Sequence, residues 1–360
     1  MIENKTILVT GGAGFIGSNL IKLLMQHNNR VICIDNYSTG SMSNIKRYVV
    51  DRPCSSLSDF FDWSFYHIDC DVEDITSTNM YHNYGGLGMP WKWYEDQIDM
   101  IFHLACPASP SKYQADMMKT LTSSTIGTLN MLGVASRRNI PMVFTSTSEV
   151  YGDPDKYHPY QNEEYWGNVN PMGIRSCYDE GKRCAEAMCF SAHRQHDVQV
   201  KVARLFNTYG PGMRPDDGRI ISNFIMQALK GEPITVYGSG KQTRSYCYVA
   251  DTVKGLIQCM ECPCHTDQSG KLTAINFGNN EEYYTVNQIA TKIQSMVEQI
   301  TGKTSEIVHL DLPEDDPHIR RPALGTALAH CNYKPQFTID VGLYETILYF
   351  KNLLEKGTQS

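Results

Sequence analysis

The sequence predicts an α/β protein: a doubly wound parallel sheet followed by a smaller α/β lobe toward the C-terminus. Three observations predict it. Short β-branched apolar runs alternate with longer stretches of helical spacing through the first half of the chain. A glycine-rich turn follows the first of those runs directly. After about residue 208 the alternation breaks into shorter pieces rich in Gly, Pro and Asp. With 360 residues the chain suits two units of ordinary domain size. The first is expected over 1–207, with a return of the chain around 245–278, and the second over 208–360.

Taken in order, the predicted strands are Ile7–Val9, Val31–Ile34, Ser64–Ile68, Met100–Leu104, Pro141–Phe144 and Val198–Phe206. Strand, crossover, strand repeated in this way gives a parallel sheet covered by helices on both faces. Apolar residues three and four apart predict helices over Ile16–Met25 and Ile126–Ser136. In the second unit, Thr285-x-x-Gln288 is a capping box that opens a helix, and Val341–Leu354 reads as an amphipathic terminal helix. Asp51–Phe61 and Thr76–Gln97 read as inserted surface loops from their charges and glycines. No internal repeat or low-complexity tract is visible.

Composition excludes several classes. The chain is 41% hydrophobic and 20% charged, enough to build a core, and its net charge is −7. An acidic chain has no general attraction to nucleic acid, so no such partner is expected. No apolar run approaches the roughly 18 residues of a membrane helix. Met1–Thr10 runs into a strand with no basic flank, so neither a signal peptide nor an anchor is expected, and the location is read as cytoplasmic. The twelve cysteines are then reduced thiols by default. Cys33, Cys106, Cys184, Cys189 and Cys247 are expected inside strands and helices as small apolar side chains. Cys259, Cys262, Cys264 and His265 form a C-x-x-C-x-C-H run. Zinc frameworks bring two separated pairs together and no second pair is apparent, so no metal is expected.

The first strand leads into Thr10-Gly11-Gly12-Ala13-Gly14-Phe15-Ile16-Gly17. Glycines at 11, 14 and 17 permit a tight turn, close backbone approach to a pyrophosphate and close helix–strand packing. The helix that follows offers its N-terminal N–H groups to phosphate. Asp35 ends the second strand, where a carboxylate accepts ribose hydroxyls and repels a 2′-phosphate. Strand, glycine turn, helix and acid together indicate a Rossmann-type site for NAD rather than NADP.

Tyr178 and Lys182 lie four apart on a predicted helix and share a face. A phenol with a pKa of about 10 needs a neighbouring positive charge to act as a base near neutral pH. Upstream, a strand ends in Thr145-Ser146-Thr147-Ser148-Glu149, at the sheet edge where such folds build sites. Hydroxyl, tyrosine, lysine and NAD together describe hydride chemistry on an alcohol.

The chain resembles the extended short-chain dehydrogenase/reductases that act on nucleotide sugars, and within them the UDP-glucuronate decarboxylase family. The matching segments include TGGAGFIGSNL at 10–20, IDNYSTG at 34–40, HLACPASPSKY at 103–113 and STSEVYGDP at 146–154. They continue with RSCYDEGKR at 175–183, ARLFNTYGPGM at 203–213, TVYGSGKQTRSYCYVAD at 235–251 and LPEDDPHIRRP at 312–322. Related dehydratases usually carry Asp-Glu where this chain has Ser148-Glu149, and epimerases usually lack the Glu.

The resemblance implies oxidation at C4 of UDP-glucuronate, loss of CO₂ from the β-keto acid, and re-reduction. Tyr178 would be the base, with Thr147 on the same oxygen and Lys182 on the nicotinamide ribose. Glu149 and Arg320 would sit near the sugar carboxyl group and serve decarboxylation and reprotonation at C5. It further implies that Phe15, Ile16, Asn36, Thr39, Gly40, Asp71, Val72, Leu104, Thr120, Thr208 and Arg219 join the glycines and Asp35 around the cofactor. Pro107, Ser109, Lys119, Ser148, Asn207, Arg219, Ser222, Tyr237, Gln242, Arg244 and Arg320 would hold the substrate. A homodimer is implied through the helices after Pro107 and after Tyr178; their apolar side chains Met117, Met118, Leu121, Met188 and Phe190 suit such a contact and plain core packing equally. Two departures stand out: Ser124 where Asn is common, expected to weaken a hydrogen bond near the site, and Ala323 where Asp is usual, expected to loosen the arginine segment. Animal members carry a membrane anchor ahead of this domain, which is not expected here. An epimerase, a dehydratase, a leaky variant releasing the 4-keto pentose, and an inactive NAD-binding scaffold are the competing readings.

Overall fold

Seven strands form one sheet: β1 (Thr6–Thr10), β2 (Arg30–Asp35), β3 (Phe65–Asp69), β4 (Met100–His103), β5 (Met142–Thr147), β6 (Val200–Leu205) and β7 (Ala274–Phe277). The structure is a computed structural model and describes residues 1–357 except 50–63, 76–80, 85–86, 156, 265, 267–269, 271 and 312–318. Across the sheet the order is β7-β6-β5-β4-β1-β2-β3, and every neighbouring pair is parallel. Main helices are α1 (Phe15–Met25), α2 (Met117–Arg138), α3 (Ser176–His196), α4 (Ile220–Lys230), α5 (Val249–Glu261), α6 (Val286–Thr301) and α7 (Ile339–Gly357).

Strand alternation sorts the apolar residues into two cores. Ile7, Val9, Val31 and Cys33 pack with Leu20, Ile21 and Leu24 of α1 and Val253, Leu256 and Ile257 of α5. Leu8, Ile32 and Ile34 face the other way, toward Met131, Leu132 and Val134 of α2 and Ala185 and Cys189 of α3. Each buried Leu or Ile of this kind contributes about 1.5–3 kcal/mol relative to exposure. A third core joins α4, α6 and α7 through Phe224, Ile225, Ile289, Ile293, Leu343 and Ile347. The Thr285 capping box forms as expected: Thr285 Oγ1 accepts from Gln288 N–H at 3.1 Å, and Gln288 Oε1 accepts from Thr285 N–H at 2.8 Å.

Several elements differ from expectation. The helix predicted over Ile126–Ser136 starts at Met117, because Asp116 caps it by accepting from Lys119 N–H at 2.9 Å. Its early turns are Ser/Thr-rich rather than apolar. Thr120 and Thr125 hydroxyls fold back to the carbonyls of Asp116 and Leu121, so hydroxyls take up polar capacity that would otherwise interrupt the helix. β7 is absent from the predicted strands: only four residues long, it is recruited by its ladder to β6. The Thr76–Gln97 segment is more than a solvated loop. Tyr81–Tyr84 pairs antiparallel with Leu87–Pro90, and the following short helix buries Trp91 and Tyr94 in the second core. The Asp51–Phe61 segment lies outside the described residues. Cys184 is exposed on α3 and Cys106 sits in the loop after β4, whereas Cys33, Cys189 and Cys247 are buried. Among the described residues no helix is long and apolar enough to cross a membrane.

In the lobe, Thr243–Ser245 pairs antiparallel with Tyr283–Thr285 and parallel with Ile319–Arg320. That register sets Arg244 beside Arg320, and it aims both at the C-terminal edge of the main sheet.

Candidate active site

A cavity of about 740 Å³ lies over the C-terminal ends of β1, β4, β5 and β6, closed on its far side by the lobe. The glycine turn forms one wall. Gly11 has φ +69°, and a Cβ there would lie 2.9 Å from the Ala105 backbone. A Cβ on Gly17 would lie 2.2 Å from the Gly11 carbonyl oxygen. No side chain caps α1 at Gly14, which leaves its first-turn N–H groups to an anion. Asp35 Oδ2 accepts from Ala13 N–H at 2.9 Å and Oδ1 from Tyr37 N–H at 2.8 Å, so its carboxylate is fixed toward the same wall. Burial pushes its carboxyl up to about 6, against the opposing backbone hydrogen bond from Ala13. A cradle that any side chain would fill, beside a fixed acid, fits a dinucleotide. Gly17→Ala is expected to lower stability by about 1–3 kcal/mol and to lose most of the thermal shift that NAD produces, read by melting with and without NAD.

Phe15, Ile16, Asn36, Thr39, Asp71, Val72, Leu104, Thr208 and Arg219 line the cavity with these residues. Pro107, Ser109, Ser148, Asn207, Tyr237, Gln242, Arg244 and Arg320 line it as well. Four of the expected residues stand behind the wall. Gly40 backs Asp35, with its notional Cβ 2.9 Å from Oδ1. Thr120 is fully buried, donating to the Tyr113 and Asp116 carbonyls. Ser222 is fully buried and donates to the Arg219 carbonyl at 2.9 Å. Lys119 is drawn off by two acids, pairing with Asp71 at 3.0 Å and with Glu73.

The catalytic candidates converge at the end of β5. Thr147 Oγ1 accepts from Glu149 N–H at 3.2 Å and shares a hydrogen bond with the Tyr178 hydroxyl. Lys182, four residues along α3, is buried and donates to the Thr145 carbonyl at 2.9 Å, 4.8 Å over the Phe144 ring. Burial raises the Tyr178 phenol well above its ordinary value, and the Thr147 hydrogen bond works against that. The Lys182 ammonium is held by the Thr145 carbonyl, two residues before Thr147 on β5.

Glu149 sits between guanidinium groups. Arg320 Nη2 donates to Glu149 Oε2 at 2.7 Å, Arg320 Nη1 donates to the Ser148 carbonyl, and Arg175 Nη2 also donates to Oε2. Burial alone would raise this carboxyl, but the charges of Arg320 and Arg175 outweigh it and hold it at about 2. Glu149 is thus an anion across the neutral range.

Three residues that the structure brings into the site went unrecognised in the sequence. Arg175 binds Glu149 one turn before Tyr178, a spacing visible only once the helix N-terminus is placed. Tyr113 stacks on Tyr178 with ring centroids 5.0 Å apart and planes 3° from parallel, and its buried hydroxyl has no hydrogen-bond partner among the described residues. Asp179 lies 3.9 Å from Arg175, with a buried Oδ1 that is unpartnered among the described residues. Burial first and the Glu149 charge second push the Asp179 carboxyl up to about 7. Asp179 ionises near pH 4 when unfolded and near 7 when folded, so its contribution to stability is present at low pH and is lost as pH rises through that window. Asp179→Asn is expected to gain on the wild type between pH 5 and pH 8 by about 1 kcal/mol or more, measured by urea unfolding at both values.

Both departures make local contacts. Ser124 Oγ meets Cys106 Sγ at 3.1 Å, and its short side chain admits Gly181, whose Cβ would come 3.1 Å from Ser124 Cβ. Ala323 N–H donates to the Gln161 carbonyl at 2.9 Å, and Gln161 Oε1 accepts from Arg321 N–H at 2.7 Å, so Gln161 holds the arginine segment at two points.

The model of the NAD dependent epimerase/dehydratase family matches residues 7–276. UDP-glucuronic acid decarboxylase 6 of Arabidopsis thaliana is 45% identical over 342 residues, 95% of this chain and 87% of that protein. UDP-glucuronic acid decarboxylase 1 of Xenopus tropicalis is 42% identical over 353 residues, 98% of this chain and 74% of that protein. Among solved structures, UDP-glucuronic acid 4-epimerase from Bacillus cereus, in complex with UDP-glucuronic acid and NAD, superposes with TM-score 0.76 at 26% identity, covering 97% of this chain and 99% of that one. UDP-glucose 4-epimerase from Thermotoga maritima with UDP-glucose gives TM-score 0.78 at 25% identity and the same coverage. With the glycine cradle, the Thr147–Tyr178–Lys182 group and the arginine-bracketed Glu149 in place, the chain belongs to the UDP-glucuronic acid decarboxylases of the NAD dependent epimerase/dehydratase family.

Proposed function

We infer that the protein converts UDP-glucuronate to UDP-xylose and CO₂, with NAD restored at the end of each cycle. The observation that carries this reading is the ionised Glu149 held between Arg175 and Arg320 beside the Tyr178 hydroxyl. A neutral-sugar enzyme has no need of buried guanidinium groups at this point, whereas a substrate carboxylate does.

Gly11, Gly14, Gly17 and Asp35 would hold NAD, which when bound supplies the acceptor and later the donor of a hydride at sugar C4. The chain's own residues do the rest. Tyr178 takes the C4 hydroxyl proton, and Thr147 hydrogen-bonds the same oxygen. The resulting 4-keto acid loses CO₂ to leave an enolate, whose negative charge falls on the oxygen that Tyr178 and Thr147 already bind; C5 then takes a proton from water at the Glu149–Arg320 end of the site, and C4 takes back the hydride as Tyr178 returns its proton to the C4 oxygen. Glu149, held between Arg320 and Arg175, fixes both around the carboxyl end, and the resemblance gives it with Arg320 the reprotonation at C5. Arg244, Tyr237, Gln242 and Asn207, from the lobe and its junction, would take the nucleotide. Arg219 already forms a two-point ion pair with Asp217, which leaves it oriented but partly neutralised. The family resemblance also supports a homodimer across α2 and α3. Met117 and Met118 are exposed on α2 with Ile126 and Leu129, while Met188 and Phe190 pack against the second core. Sedimentation as a monomer at micromolar concentration would remove the dimer.

Incubation of the purified protein with UDP-glucuronate and NAD⁺ tests the activity, following CO₂ and the nucleotide sugars by mass. A UDP-pentose with CO₂ and little net NADH is the expected result. Turnover to UDP-galacturonate without CO₂ would overturn the decarboxylase reading in favour of an epimerase.

A further inference from the structure

The C-x-x-C run of the sequence acquires a third member in the fold. Cys262 directly follows α5, and Cys331 ends the short helix Gly325–Cys331, sixty-nine residues further on. Their sulfurs lie 3.1 Å apart. Cys259, one turn earlier in α5, is fully buried, and its carbonyl accepts from the Cys262 thiol at 3.2 Å. All three belong to the first core, behind the sheet, and none lines the active-site cavity. Among the described residues no group of three or more His, Cys, Asp or Glu side chains is arranged to hold a metal ion, and His265 lies outside those residues.

We propose that Cys262 and Cys331 are an oxidative modification site, a dithiol that closes to a disulfide under hydroperoxides. The chemistry of the cluster divides the labour. Hydrogen bonds from the Cys259 and Cys331 thiols, with the Lys201 ammonium nearby, favour the thiolate at Cys262. Lys201 is buried in β6 and is held there by the Met260 carbonyl. Cys262 is also the most exposed of the three, at 9%. Its thiolate attacks one peroxide oxygen and breaks the O–O bond. One water leaves, and Cys262 becomes a sulfenic acid. Cys331, already in contact, attacks that sulfur, forming the S–S bond and releasing a second water. Two thiols and one hydrogen peroxide give one disulfide and two waters, the two electrons passing from sulfur to oxygen.

The closure ties together two parts of the molecule. The helix Gly325–Cys331 continues the segment that carries Arg320, and α5 packs on α1 behind the glycine turn. A disulfide closing so long a loop restricts the unfolded chain strongly, so it is expected to raise the thermal midpoint by about 5 °C without touching the cavity.

The test uses the full chain with NAD bound. Reduced protein is treated with hydrogen peroxide, quenched, denatured, alkylated and mapped by tandem mass spectrometry. The expected result is a mass loss of two hydrogens and a cross-link between Cys262 and Cys331. Cys262→Ser and Cys331→Ser should each abolish that link, and Cys184→Ser should leave it intact. The wild-type map reads the link even if either serine variant folds poorly. A link between Cys259 and Cys262, or oxidation confined to Cys184 and Cys106, would overturn the pairing. So would stoichiometric zinc in protein purified without added metal, with the thiols shielded from peroxide. An unchanged thermal midpoint on closure would overturn its role as a staple.

Discussion

Tyr178→Phe is expected to reduce formation of CO₂ and UDP-pentose from UDP-glucuronate by at least about a thousandfold, because the first proton transfer loses its base. The fold should survive. Phenylalanine keeps the ring that stacks on Tyr113, and the hydroxyl it lacks makes its hydrogen bond inside the site, with Thr147. Binding of NAD and of UDP-glucuronate, followed by calorimetry, should remain within a few-fold of wild type. A transient of NADH in single-turnover absorbance separates the cases: it should vanish in the variant, since oxidation itself is blocked. Retained NADH formation with lost CO₂ would move Tyr178 to the later steps and require another base.

Glu149→Gln is expected to act on both stability and chemistry. The carboxylate neutralises Arg320, which is only 2% exposed, and Arg175 beside it. Removing the charge leaves two buried guanidinium groups facing one another, a cost of about 3–5 kcal/mol for a broken buried pair. The melting temperature should fall by several degrees, and CO₂ release by at least about a hundredfold. The pH dependence has a definite sign. Glu149 titrates near 2 when folded and near 4.3 when unfolded, so its contribution is present above about pH 4 and is lost as pH falls toward 2. Wild type and variant should therefore converge in stability at low pH, measured by thermal unfolding at pH 7 and pH 3. A difference that stayed constant between those values would show that Glu149 acts there by packing and not by charge.

Much of the site is legible in residue order and spacing. The glycine turn, Asp35, and the four-residue interval between Tyr178 and Lys182 depend on geometry within a turn or two of chain, which residue type and spacing encode directly. The strand end at Thr147 follows from the same patterning, whereas Arg320 is reached through the resemblance and its short strand is visible only in the fold. Lys119 shows where that reasoning stops. Its motif position suggests a ligand contact, but Asp71 and Glu73, brought close by the β3 turn, take its ammonium first. The Ser/Thr-rich start of α2 and the four-residue β7 escape for a related reason: hydroxyl back-bonding and ladder pairing stabilise them, and neither leaves an apolar period.

Fold class, the glycine turn and the Tyr178–Lys182 spacing thus follow from the amino-acid order alone, because each rests on short-range backbone chemistry. Which charges meet is a matter of tertiary closure. Glu149 and Arg320 are separated by 171 residues, Cys262 and Cys331 by 69, and Gln161 reaches Arg321 across 160. Ionisation in a buried site is set by whatever charge lies a few ångströms away in a medium that screens poorly. Such neighbours are chosen by chain closure, and no local pattern in the sequence records them.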